Sequence, residues 1–159
     1  MESQFDELAG LYENMATWPF RQDMEIPTVL GLLGDLSGRD VLDFGCGTGM
    51  YSRWIKERGA RRVVGYDVSE GMLAYARRRE EKERLGLSFA SQLTPDLEAA
   101  FDVVLSVYVL PYATTVDELA ALCAGRWRFR CGAADVSSRC RSIPTTPPTP
   151  GTTGNTASA

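Results

Sequence analysis

The chain has 159 residues, 44% of them hydrophobic and 24% charged, with a formal net charge of -4. That length suits one domain, and the acidic balance argues against nucleic acid as the main partner, because phosphate neutralisation needs clustered lysine and arginine. Histidine is absent, which excludes Ser-His-Asp and Cys-His catalysis within the chain and leaves Cys46, Cys123, Cys131 and Cys140, none in C-x-x-C spacing, short of a zinc site. No run approaches the ~18 apolar residues of a membrane span, and MESQFDELAG lacks the basic and apolar regions of a signal peptide, so a cytoplasmic protein without a membrane partner is expected.

In chain order, Phe5, Leu8, Leu11, Tyr12 and Met15 recur at helical spacing and predict a helix over residues 3–17 with one apolar stripe. Trp18-Pro19 ends it, since the residue before proline avoids the helical region. A second helix is predicted from Asp23 to Leu33, with Pro27 near its start. From Arg39 the period changes. Asp40 to Phe44 is a short apolar run before a glycine cluster, which reads as a buried strand. Residues 50–58 read as a helix with Tyr51, Trp54 and Ile55 on one face, stopped by Gly59. Arg62 to Asp67 is a second buried strand. Ser69 then caps a helix that runs to about Leu85, with Glu70 in its first turn. Its far end carries the solvated pairs Arg77–Glu81, Arg79–Glu83 and Glu80–Arg84 at i,i+4 spacing. Leu87 to Ala90 predicts a third strand, and Phe101 to Leu110 a long, very apolar fourth. Thr115-x-x-Glu118 is a capping box opening a helix with Val116, Leu119, Ala120 and Cys123 on one face. Strands alternating with helices predict an α/β fold with a mainly parallel sheet and right-handed crossovers.

The most specific signal is VLDFGCGTG at residues 41–49, placed between a strand and a helix. Gly45 permits a tight turn. Gly47 and Gly49 clear side chains from a surface on which a ligand can lie, and the helix beginning near Met50 aims free N–H groups at it. A dinucleotide fingerprint would put its third glycine at position 50, which is Met50. The glycine comes one residue early, and Asp43 ahead of the loop would repel a pyrophosphate but suits an ammonium.

VLDFGCGTG, with Asp67 at the end of the next strand in VVGYDVSEGMLAYAR, resembles the class I S-adenosylmethionine-dependent methyltransferases of the small-molecule type. FDVVLSVYVLPYA is similar to that family's fourth strand. The resemblance covers about residues 5–123 and implies a Rossmann-like three-layer sandwich. It further implies that Asp43 and the loop Gly45, Cys46, Gly47, Thr48 and Gly49 hold the methionine part of the cofactor. Asp67 would bridge the ribose hydroxyls, a two-oxygen acceptor for a diol. Val68 and Met72 would flank the adenine. Ser91, Gln92 and Leu93 stand where relatives often carry an acid near the adenine amino group, so Gln92 would offer its carbonyl instead. Ser106 and Val107 would lie near the methionine part, Tyr108 and Tyr112 near the acceptor pocket, and Tyr12 and Arg21 resemble a lid that closes over the sulfonium. The implied chemistry is in-line methyl transfer to an oxygen, nitrogen or carbon atom of a small molecule, in secondary metabolism, helped mainly by alignment and desolvation.

Each of these residues also has a simpler reading. Cys46 reads first as a small residue filling the loop, because nothing nearby supplies a base. Tyr51 and Trp54 read as core. Tyr12, Tyr108 and Tyr112 divide evenly between packing and function.

After Gly125 the pattern stops. Residues 1–123 carry a net charge of -8 and residues 124–159 one of +4, and residues 144–159 are low-complexity PTTPPTPGTTGNTASA. The expected organisation is a methyltransferase domain over 1–125 and an irregular tail over 126–159, with the family's C-terminal strands missing. A frameshift or aberrant C-terminus beginning near residues 124–128 would produce that change. It would leave Val103 to Leu110 as a long apolar edge. A non-catalytic remnant that binds cofactor weakly, or only packs with a partner, is the competing expectation. An NAD-dependent dehydrogenase is disfavoured by the glycine spacing.

Overall fold

The structure is a computed structural model that describes residues 8–97 and 100–121. The expected domain boundary near 125, the low-complexity tail and Cys123, Cys131 and Cys140 lie outside those residues.

The first described helix, α1, spans Ala9–Met15. A π-helical turn at Arg21–Glu25 runs into α2 (Ile26–Leu33). Strand β1 (Asp40–Phe44), helix α3 (Met50–Glu57), strand β2 (Arg62–Tyr66) and helix α4 (Glu70–Glu83) follow. Strand β3 (Ser88–Ala90), a 3-10 turn at Pro95–Leu97, strand β4 (Val103–Leu105) and a second 3-10 turn at Leu110–Tyr112 complete the order, and residues 116–121 are helical. Among the described residues no helix is long and apolar enough to cross a membrane.

The four strands form one parallel sheet in the order β3-β2-β1-β4. Side chains on successive strand residues point to opposite faces, so β1 and β2 supply two cores. Val41 and Val63 join Leu30, Tyr51 and Ile55 of α2 and α3 on one face. Leu42, Phe44 and Val64 meet Leu97 and Phe101 on the other. This is the Rossmann-like arrangement of a mainly parallel sheet with flanking helices. All five β1 residues are buried, as expected of a parallel strand covered on both faces.

Three expectations change. The buried residues at the start of the chain are Ala9 and Ala16, while Leu8 and Leu11 of the expected stripe are exposed. The anchor of α1 is polar. Glu13 takes a hydrogen bond from Thr48 Oγ1 (2.7 Å) and pairs with Arg53, whose Nη1 donates to the Thr48 carbonyl (2.9 Å). The second helical segment begins before Asp23, because the π-helical turn absorbs Arg21 and Gln22.

The fourth strand is also shorter than its apolar run. It ends at Leu105, Tyr108 has φ of 59°, and Leu110–Tyr112 turns as 3-10 helix. Val107 to Val109 are apolar because they line a cavity and pack on the glycine loop, not because they extend the sheet. Strand β4 does lie at the edge of the described sheet, but with three residues rather than eight.

The capping signals hold. Ser69 Oγ accepts from Met72 N (3.2 Å), and Thr115 and Glu118 exchange the two reciprocal bonds of a capping box (3.2 Å each). On α4, Arg79 pairs with Glu83 as expected, whereas Arg77 reaches Glu70 (3.1 Å).

Candidate active site at the sheet switch point

Strands β2 and β3 lie on one side of β1 and β4 on the other, so the chain changes direction beside β1. Open α/β sheets bind ligands at the carboxyl ends of the strands where this happens. A cavity of about 650 Å³ lies there, within the roughly 300–1,000 Å³ of small-molecule sites. It is lined by the glycine loop, by Asp67 and Val68 after β2, and by Val107 to Val109 after β4.

The loop is pulled toward β2 by two bonds, from Gly45 N and Cys46 N to the Tyr66 carbonyl (2.7 and 2.9 Å). Its three glycines all have positive φ but do different work. A Cβ on Gly45 would sit 2.2 Å from Val109 Cγ2, so this glycine lets the segment after β4 close over the loop. A Cβ on Gly47 would meet nothing within 4 Å. A Cβ on Gly49 would meet the Phe89 ring at 2.9 Å and Ala76 at 3.3 Å. Gly49 is therefore an interior glycine opening α3, away from the cavity lining.

Asp43 is 2% exposed and accepts from Ser52 Oγ (2.6 Å). Burial pushes its carboxyl up to about 6, against the Ser52 hydrogen bond and helped by the neighbouring Asp67. A cation in the cavity would lower it again. Asp67 Oδ2 accepts from Gly47 N (2.7 Å) and Oδ1 from Ser69 N (2.9 Å). A carboxylate oxygen has room for a second donor, so both oxygens remain able to take hydroxyls. Cys46 is buried, and burial raises its thiol well above the usual range. With the thiolate suppressed, its role is to fill the space over Gly65, where a Cβ would come within 2.8 Å of Sγ.

Of the residues singled out in the sequence, Tyr12, Arg21, Asp43, Gly45, Cys46, Gly47, Thr48, Asp67, Val68, Met72, Leu93, Val107, Tyr108 and Tyr112 come together around this cavity. Gly49, Ser91, Gln92 and Ser106 are not in its lining. Tyr51 serves both readings, packing edge-on against Trp54 (5.3 Å) in the core while lining the cavity.

Phe44, Met50, Tyr66 and Val109 also line the cavity without having been singled out. Ser52 and Glu25, two buried polar residues outside that lining, were not singled out either. Ser52, in the first turn of α3, holds Asp43. Glu25 is buried and gathers Arg21, Tyr51 and Tyr108 around one carboxylate. Arg21 and Glu25 stand at i,i+4, a spacing visible in the sequence, but the two tyrosines are remote from Glu25 along the chain.

The site fits an S-adenosyl cofactor on its own geometry. Asp67 has acceptor capacity for a diol, Gly47 presents bare backbone to the cavity, and Asp43 offers a carboxylate to an ammonium.

Comparison with known proteins agrees with this geometry. Residues 41–129 match the family described as "Methyltransferase domain". The malonyl-[acyl-carrier protein] O-methyltransferase of Serratia marcescens is 35% identical over 112 residues, covering 70% of this chain and 42% of that protein. The ubiquinone biosynthesis O-methyltransferase of Pseudomonas aeruginosa is 35% identical over 81 residues, covering 48% of this chain and 34% of that protein. A crystal structure of an S-adenosylmethionine-dependent methyltransferase from Mesorhizobium loti superposes with a TM-score of 0.53 at 30% identity, covering 67% of this chain and 48% of that one. The chain spans less than half the length of the curated relatives it matches. Matched over more than half its residues, and carrying the site geometry where the fold puts it, the chain belongs to the S-adenosylmethionine-dependent methyltransferase family.

Proposed function

We propose that the chain binds S-adenosylmethionine in the switch-point cavity and serves methyl transfer to a small-molecule acceptor, with an oxygen as the receiving atom. The observation that carries this reading is the pair Asp43 and Asp67. They stand at the carboxyl ends of adjacent parallel strands, on either side of a glycine loop that faces the cavity. The choice of oxygen rests on the O-methyltransferases among the relatives. The bound cofactor supplies an electrophilic methyl group on a sulfonium.

The residues of the chain do the rest. Asp67 would hold the ribose hydroxyls. Asp43 and the Gly45–Thr48 backbone would orient the amino-acid part. Val68, Met72 and Leu93 would enclose the adenine, and Tyr12 and Arg21 would close the cavity against water.

Among the groups that line the cavity, a base would have to be a carboxylate, Asp43, Asp67 or Glu118. Burial and the nearby Glu25 carboxylate hold the Tyr51 and Tyr108 hydroxyls protonated.

The test is release of S-adenosylhomocysteine from S-adenosylmethionine by the purified chain. It would be run with a panel of carboxylic acids, phenols and amines. Turnover confined to oxygen acceptors supports the reading. Turnover only with amines would overturn the choice of atom, and cofactor binding without any turnover would favour the non-catalytic alternative.

A further inference from the structure

Glu25 has no part in the cofactor contacts above, yet it is the most heavily bonded side chain near them. Arg21 donates to it from Nε (3.0 and 3.1 Å) and from Nη2 (2.8 Å). Tyr51 Oη donates to Oε1 (2.8 Å) and Tyr108 Oη to Oε2 (2.9 Å). The donors come from three separate parts of the fold: the π-helical turn, the first turn of α3, and the segment after β4. All three donors line the cavity.

The two tyrosine bonds are struts between elements. Tyr108 holds φ of 59°, a conformation that non-glycine residues seldom adopt without something to fix it. Its hydroxyl bond to Glu25 supplies that restraint. The next residue, Val109, seats directly on Gly45. Fixing Tyr108 therefore fixes how the β4 segment meets the glycine loop. On the other side, Glu25 engages Nε and Nη2 of Arg21, which lines the cavity.

We infer that Glu25 is a positioning residue for the β4 side of the site: it sets Arg21, Tyr51 and Tyr108 around the end of the cavity away from Asp67. This rests on the cofactor reading above. The sheet order separates the two ends, since Asp67 follows β2 and Tyr108 follows β4 on opposite sides of β1. The ribose and adenine belong to the β2 end. The amino-acid part of the cofactor then extends toward the residues that Glu25 holds.

That separation gives a readout that general damage to the fold would not reproduce. S-adenosylhomocysteine and methylthioadenosine share the nucleoside, and only the first carries the amino-acid part. Calorimetric titrations with both ligands would be run on the full chain and on Glu25→Gln, Tyr108→Phe and Tyr51→Phe. Glu25→Gln is expected to weaken S-adenosylhomocysteine at least tenfold, and each tyrosine variant several-fold. Methylthioadenosine should change by less than twofold in all three.

Glu25→Gln leaves a buried Arg21 without its counter-charge. If it fails to fold, the two hydroxyl deletions, which keep the ion pair, decide the matter. Equal losses for both ligands, or no loss for either, would overturn the positioning role. Failure of the unaltered chain to bind S-adenosylhomocysteine would overturn the cofactor reading itself, and this inference with it.

Discussion

The two sides of β1 are built to different standards. Toward β2, strands of five residues pair along their whole length, and Leu42, Val41 and Val63 are at most 1% exposed. Toward β4 the pairing covers three residues, all half-buried. Beyond it, Tyr108, Leu110, Tyr112, Val116 and Leu119 are at least 40% exposed. The cofactor loop and Asp67 belong to the first side, and the residues assigned to the acceptor pocket belong to the second. The β2 side of the cavity therefore rests on a closed core, while the β4 side is tied by polar bonds, above all those to Glu25.

Core truncations should show that difference most strongly. Leu42→Ala in β1 removes a fully buried side chain and is expected to cost about 3–4 kcal/mol, whereas Val104→Ala in β4 should cost about 1 kcal/mol. Urea unfolding of both variants checks this, and equal costs would erase the contrast.

The pH dependence of stability is the next largest effect. Asp43 has its folded pKa raised to about 6 from an ordinary 3.8, so the folded state holds a proton that the unfolded state releases. The contribution is fully favourable below about pH 4 and is lost as pH rises through about 6, amounting to roughly 3 kcal/mol. Measured against Asp43→Asn, the unaltered chain should lose that much between pH 4 and pH 7. Parallel pH profiles would contradict the buried carboxylate.

Gly45→Ala meets Val109 at φ of 79° and is expected to destabilise by about 2–3 kcal/mol, partly recovered by Val109→Ala. Gly47→Ala meets open space and should cost about 1 kcal/mol, from its positive φ alone, while obstructing the ligand. The smallest effects are at helix starts. Ser69→Ala should cost about 1 kcal/mol. Thr115→Ala, in the exposed segment after β4, should cost about 0.5 kcal/mol. Thermal melts read both.

The same division explains what the sequence made legible. Strands β1 and β2, the loop between β1 and α3, and the Ser69 cap are local patterns, and they lie where local preference and burial agree. FDVVLSVYVL misled because a ten-residue apolar run has two uses, and periodicity does not distinguish a strand from a cavity wall. Gly49 read as ligand-facing because its true neighbour, Phe89, comes from another strand. Glu25 was invisible for the same reason: its partners Tyr51 and Tyr108 are 26 and 83 residues away. The place of Asp67 beside the cavity was legible because the end of a strand after a glycine loop is itself a sequence landmark.

Asp43, the glycine loop and Asp67 together make the proposed cofactor site. Calorimetric titration of the purified chain with S-adenosylhomocysteine, beside Asp67→Ala, tests it most directly. Saturable one-to-one binding by the unaltered chain is expected, with at least a hundredfold loss in the variant, which stays folded. No binding by a folded, monodisperse sample, or equal binding by both, would contradict it.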